Sequence, residues 1–103
     1  MHGIMFAMVV NYQEIEKKLV AILEKYKAKK IAIFGSYARG EAMPGSDLDV
    51  LVDFQERKSL LTLVRIEREL SENIGVKVDL LTEQSISPYL IDMIKAELKV
   101  IYQ

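Results

Sequence analysis

The chain has no cysteine and no tryptophan, and its one histidine, His2, stands beside the start. These absences remove disulfides, thiolate nucleophiles, zinc clusters and imidazole bases, so any chemistry must run on carboxylates, hydroxyls and bound metal. An excess of either charge is missing too, with 14 Lys and Arg against 15 Asp and Glu and a net charge of −1. Without a surplus of cations to offset phosphates, direct nucleic-acid binding is not expected, although a local basic patch stays open. No apolar run reaches the roughly 20 residues of a membrane-spanning helix. Residues Gly3 to Val10 are apolar but lack a basic leading segment and a small-residue cleavage site. They read as a frayed extension or an edge strand, and the protein as cytoplasmic with no membrane partner.

What is present is one core's worth of hydrophobic side chains: 103 residues, half of them hydrophobic, with two prolines, no repeat and no linker. Residues 1–103 are expected to form a single domain, with 1–10 as a frayed extension, and to leave no room for a separate substrate domain. Asn11 can cap a helix to about Lys29, because Ile15, Leu19, Ile22, Leu23 and Tyr26 recur at helical spacing. Ile31 to Phe34 is a short apolar run closed by Gly35, which suits a buried strand ending in a tight turn. Residues 41 to 46, with Pro44-Gly45, form a loop before a second strand, Leu48 to Phe54. In that strand Leu48, Val50, Val52 and Phe54 share one face, and Asp49, Leu51 and Asp53, with Asp47 just before, share the other.

Ser59 begins a second helix to about Asn73, with Leu60, Leu63, Val64 and Leu70 as its apolar stripe and Gly75 at its end. Val76 to Leu81 is a third strand. Ser87-Pro88 opens a last helix lined on one side by Leu90, Ile91, Ile94 and Leu98, and Val100 to Tyr102 adds a short edge strand. The sum is an α/β (α+β) fold, a small mixed sheet packed with helices.

Chemistry concentrates between Phe34 and Phe54. Gly35 can adopt backbone angles closed to other residues, and Ser36 after it offers a hydroxyl and an N–H at the start of a helical turn, as a terminal phosphate requires. Asp47 and Asp49, two apart, project from one strand face, where like charges repel unless a cation joins them. Asp79 stands in an otherwise apolar strand, an expensive place for an isolated carboxylate. If the two strands are neighbours, the three acids form a cluster able to hold two cations about 3.5–4 Å apart, the spacing of two-metal phosphoryl chemistry. Asp53 lies roughly 13 Å beyond Asp49 at normal strand rise and stays outside the site. Arg39, one helical turn after Ser36, can reach a phosphate or a site carboxylate equally well. Arg57, Lys58, Arg65 and Arg68 read most simply as a solvated helix face that could also meet an acidic partner. A P-loop is excluded because Glu41-Ala42 follow Gly40 where Lys and Ser or Thr belong. An EF-hand beginning at Asp47 is excluded by Leu51 and Lys58 at two ligand positions.

Taken in order, Gly35-Ser36-Tyr37-Ala38-Arg39-Gly40, Ser46-Asp47-Leu48-Asp49 and Val78-Asp79-Leu80 resemble the signature of the minimal nucleotidyltransferases, the MNT proteins of the DNA polymerase β superfamily. The resemblance runs from the first strand to the last helix. It implies a polymerase β-like nucleotidyltransferase fold in which Gly35 and Ser36 bind the triphosphate of ATP; Arg39 is a further nucleotide-binding candidate from its position alone. It further implies that Asp47 and Asp49 hold two magnesium ions, and that Asp79 completes the metal site and helps activate the attacking hydroxyl. The implied reaction is transfer of AMP from ATP to an acceptor hydroxyl with release of pyrophosphate. Proteins of this family and size usually act beside a helical HEPN ribonuclease toxin and serve as antitoxins by adenylylating one of its tyrosines. Two alternatives stand beside that expectation: an antitoxin that neutralises its partner by binding alone, and a small-molecule transferase of the aminoglycoside type.

Overall fold

The computed structural model describes residues 10–103, so the expectation for Gly3 to Val9 lies outside the described residues. Helix α1, Tyr12–Lys25, starts where Asn11 accepts a hydrogen bond from the Glu14 N–H at 3.0 Å. It buries Leu19, Ile22 and Leu23 at the spacing the sequence shows. It ends four residues earlier than its composition suggests, because Lys27 takes a left-handed φ of 63° and Ala28 enters a strand opposite Phe54. The helix propensity of Ala28-Lys29-Lys30 is overridden by that pairing.

The sheet has four strands: β1 Ala28–Phe34, β2 Leu48–Phe54, β3 Val78–Leu81 and β4 Lys99–Tyr102, in the order β3-β2-β1-β4. β1 runs antiparallel to both β2 and β4, whereas β2 and β3 are parallel, so the sheet is mixed as expected. The parallel pair needs a crossover, and helix α2, Leu60–Ile74, supplies it between Ser59, which accepts from the Thr62 N–H, and Gly75 at φ 84°. Helices α1 and α2 cover one face of the sheet. There Leu19, Leu23, Ile31, Val50, Ile66 and Leu70 are fully buried, the main stabilising term at about 1.5–3 kcal/mol each.

The apolar stripe of α2 differs from the one its spacing suggests. Ile66 and Leu70 go inward with Leu63 beside them, while Leu60 and Val64 remain exposed. The helix is rotated so that Glu67 and Ser71 face β3, an edge strand whose outward N–H groups need acceptors. Leu80 N–H donates to Glu67 Oε2 at 2.8 Å and Val78 N–H to Ser71 Oγ at 3.0 Å.

Helix α3, Pro88–Ala96, follows the Ser87 cap and buries none of its residues; Glu97 ends it, so Leu98 falls just beyond the helix. A cavity of about 350 Å³ lies between Lys95 and Leu98 on one side and Ala32 and Leu51 of the sheet on the other. Leu51 lines that cavity and is buried, although it shares a face with the acids. Among the described residues no helix is long and apolar enough to cross a membrane.

Candidate active site

The strand directions bring the C-terminal end of β1 to the N-terminal ends of β2 and β3. At that edge Phe34 and Asp79 flank Asp49 as its register partners on either side. β1 leaves through Gly35, at φ 74°, into a short 3-10 turn, Gly35–Tyr37. The Gly35 carbonyl accepts from the N–H groups of Ala38 and Arg39 at 3.1 and 3.2 Å, and Ser36 O accepts from Glu41 N–H at 2.9 Å. Tyr37 anchors the turn in the core, edge-on to the Tyr12 ring with centroids 6.0 Å apart.

The turn and the acid strand are in direct contact. A Cβ added to Gly35 would lie 2.5 Å from Asp49 Oδ2, so a glycine is required both by the backbone angle and by the carboxylate against it. Asp49 is half-buried, and its pKa is pushed up to about 6, first by burial, then by the charges of Asp79 and Asp47, and last by a hydrogen bond with Asp79. Repulsion among the acids does raise one of them, yet loss of solvation is the larger cause.

Asp47 sits one residue before β2, exposed, with Oδ2 4.0 Å from Lys77 Nζ. Lys77 precedes β3, and its carbonyl accepts from Leu48 N–H at 2.8 Å, which extends the ladder towards the acids. Asp49 and Asp79 are thus brought side by side, and Asp47 stands at the rim facing a lysine. Among the described residues no three carboxylates or imidazoles converge closely enough to enclose a metal ion as they stand. The donor chemistry still suits a hard divalent cation: adjacent carboxylates, one of them partly desolvated and poorly neutralised by the protein itself.

Arg39 points elsewhere. Its Nε lies 3.0 Å from Glu41 Oε1 and its Nη1 3.5 Å from Glu97 Oε2, which ties the turn to the end of α3. Asp53 is at the opposite end of β2, 3.7 Å from Lys29 Nζ. Lys77 was not singled out by the sequence reading. Its only signal was a position two residues before Asp79, the same offset that separates Asp47 from Asp49.

A family model described as "Nucleotidyltransferase domain" matches residues 15–101. The chain belongs to that family. The nucleotidyltransferase is 51% identical over 88 residues to a Methanocaldococcus jannaschii protein provisionally named a protein adenylyltransferase, covering 85% of this chain and 95% of that one. It is 40% identical over 82 residues to the protein adenylyltransferase MntA of Thermococcus cleftensis, covering 76% of this chain and 83% of that one. Its fold superposes on a chain from a crystal structure of a toxin-antitoxin with AMP-PNP, with a TM-score of 0.78 at 25% identity, over 84% of this chain and 72% of that chain. The resemblance to minimal nucleotidyltransferases read from the motifs is thereby borne out, as is the small mixed-sheet fold.

Proposed function

We propose that this nucleotidyltransferase is a magnesium-dependent protein adenylyltransferase that transfers AMP from ATP to a tyrosine of a helical HEPN-type toxin and so acts as its antitoxin. The observation that carries the reading is the contact between the Gly35 turn and Asp49, with Asp79 as the register partner of Asp49. One segment offers backbone for phosphate and the other offers paired carboxylates, within one site.

Gly35 and Ser36 are assigned to the terminal phosphates, where N–H groups and a hydroxyl at the start of a helical turn complement negative charge. Arg39 is assigned to join them, which requires it to leave Glu41 and Glu97. Asp47, Asp49 and Asp79 are assigned to the divalent cations, two in number by the resemblance. When bound, the cations would neutralise charge on the reacting phosphate and on the attacking and leaving oxygens. Asp79 further accepts a hydrogen bond from the acceptor hydroxyl and draws off its proton. The freed oxygen bonds to the α-phosphorus as the bond to pyrophosphate breaks. Asp49, whose charged form burial and the neighbouring acids disfavour, would be one of the carboxylates that hold a cation, whose charge would offset that cost.

Support for the protein acceptor comes from the names of the relatives, which are protein adenylyltransferases. The toxin-antitoxin neighbour with AMP-PNP supports both the partner class and the adenine nucleotide. The test is transfer from ATP labelled at the α-phosphate to the cognate helical partner in the presence of magnesium. Label on a partner tyrosine is expected, lowered at least about a hundredfold in Asp47→Asn/Asp49→Asn. Absence of transfer by the intact protein overturns the proposal.

A further inference from the structure

The catalytic acids occupy one end of the sheet; the other end carries a surface of different character. β2 runs from Asp49 to Phe54, about 17 Å at normal strand rise, and delivers the chain to the start of α2. There Leu60, Leu61 and Val64 are 78%, 72% and 48% exposed, in adjacent turns of one helix. Arg57 and Lys58 precede them and Arg65 and Arg68 follow. Among the described residues none of these four cations takes part in an ion pair. Two of the three acids of α2 are engaged elsewhere, Glu67 by Leu80 N–H and Glu69 by Lys25 and Tyr26, and the third, Glu72, is exposed one turn after Arg68 without an ion pair among the described residues, so the four cations outnumber it. A cleft of about 310 Å³ adjoins the patch, with Phe54, Leu63 and Thr82 among its walls.

We infer that this face of α2 is a docking site for an acidic protein surface that carries an apolar stripe, separate from the catalytic edge. Cations without ion pairs on both sides of exposed aliphatic side chains, with Lys58 resting over the Phe54 ring, complement carboxylates flanking leucine-like residues, the pattern of an acidic amphipathic helix. A nucleic acid would engage the cations but leave the leucines in water, since bases stack on aromatic rings and not on aliphatic chains. Docking here leaves the site edge open, so a partner can be held by one surface while its hydroxyl, or that of a second subunit, enters the site.

The inference takes its partner from the proposed function, and binding is measured without ATP so that the two fail separately. The full chain is titrated with the cognate HEPN-type protein by calorimetry. Leu60→Ser/Leu61→Ser and Arg65→Glu/Arg68→Glu are each expected to weaken the complex at least tenfold, with unchanged melting temperature. Asp47→Asn/Asp49→Asn should bind as the parent does. Parent-like affinity in both patch variants, or no complex with the parent protein, overturns the docking site. So does binding of a single-stranded RNA oligomer in place of the protein that the arginine variant abolishes and the leucine variant keeps. Loss of AMP transfer with the complex intact sinks the enzymatic reading alone.

Discussion

Gly35 and Asp49 each restrict what the other position can hold. Gly35→Ala forces a Cβ into the space of Asp49 Oδ2 at a φ of 74°. The left-handed angle alone costs about 1–2 kcal/mol. The expected outcome is a lower melting temperature together with loss of AMP transfer, because the carboxylate must move to relieve the contact. Asp49 also sets a pH dependence. Its folded pKa, about 6, lies above the unfolded value near 3.8, so between these values the native state binds more protons than the unfolded one. The metal-free protein therefore loses stability from this group as pH rises through that window, and Asp49→Asn removes this part of the slope. Melting curves of both proteins from pH 4 to 7 in chelator check the sign, and magnesium should bind more weakly below about pH 6, where the proton competes. The meeting of Asp49 and Asp79 was legible because each is the lone acid between apolar neighbours of a strand; the place of Asp47 at the rim beside Lys77 was not, since it depends on how the chain enters the strand. The partners of Arg39 were not, since Glu97 reaches it only through the path of α3 and β4.

At the scale of elements, local chemistry marked the starts of helices well and their rotation poorly. Asn11, Ser59 and Ser87 each cap the helix expected of them, and Gly75 ends α2. Ser59→Ala should cost about 1 kcal/mol, read as a shifted denaturant midpoint at constant slope. The end of α1 was hidden because Lys27 adopts a positive φ that no sequence rule assigns to lysine. The inward face of α2 was hidden because it is fixed by the needs of another element. β3 is at the edge of the sheet, and the acceptors for its N–H groups must come from positions 67 and 71. Glu67→Ala is expected to destabilise the fold by about 1–3 kcal/mol through the orphaned Leu80 N–H, whereas Glu67→Gln, which keeps an acceptor oxygen, restores much of it. Equilibrium unfolding of the three proteins measures the difference.

For the whole molecule, the mixed topology was readable from the short connection between the first two strands, but the two-ended character was not. It arises because β2 carries the chain away from its acids and α2 begins at the far end, with Leu60 and Leu61 outward. The contact between Gly35 and Asp49 has a consequence for the history of such a chain. A lineage that gave up transfer and kept only binding would be free to shorten position 49, and the space opened there would admit a side chain at position 35. The left-handed angle would steer that replacement towards asparagine. The two positions should therefore decay as a pair, and a relative with a small residue at the second and a non-glycine at the first would carry the mark of retired chemistry in its sequence alone.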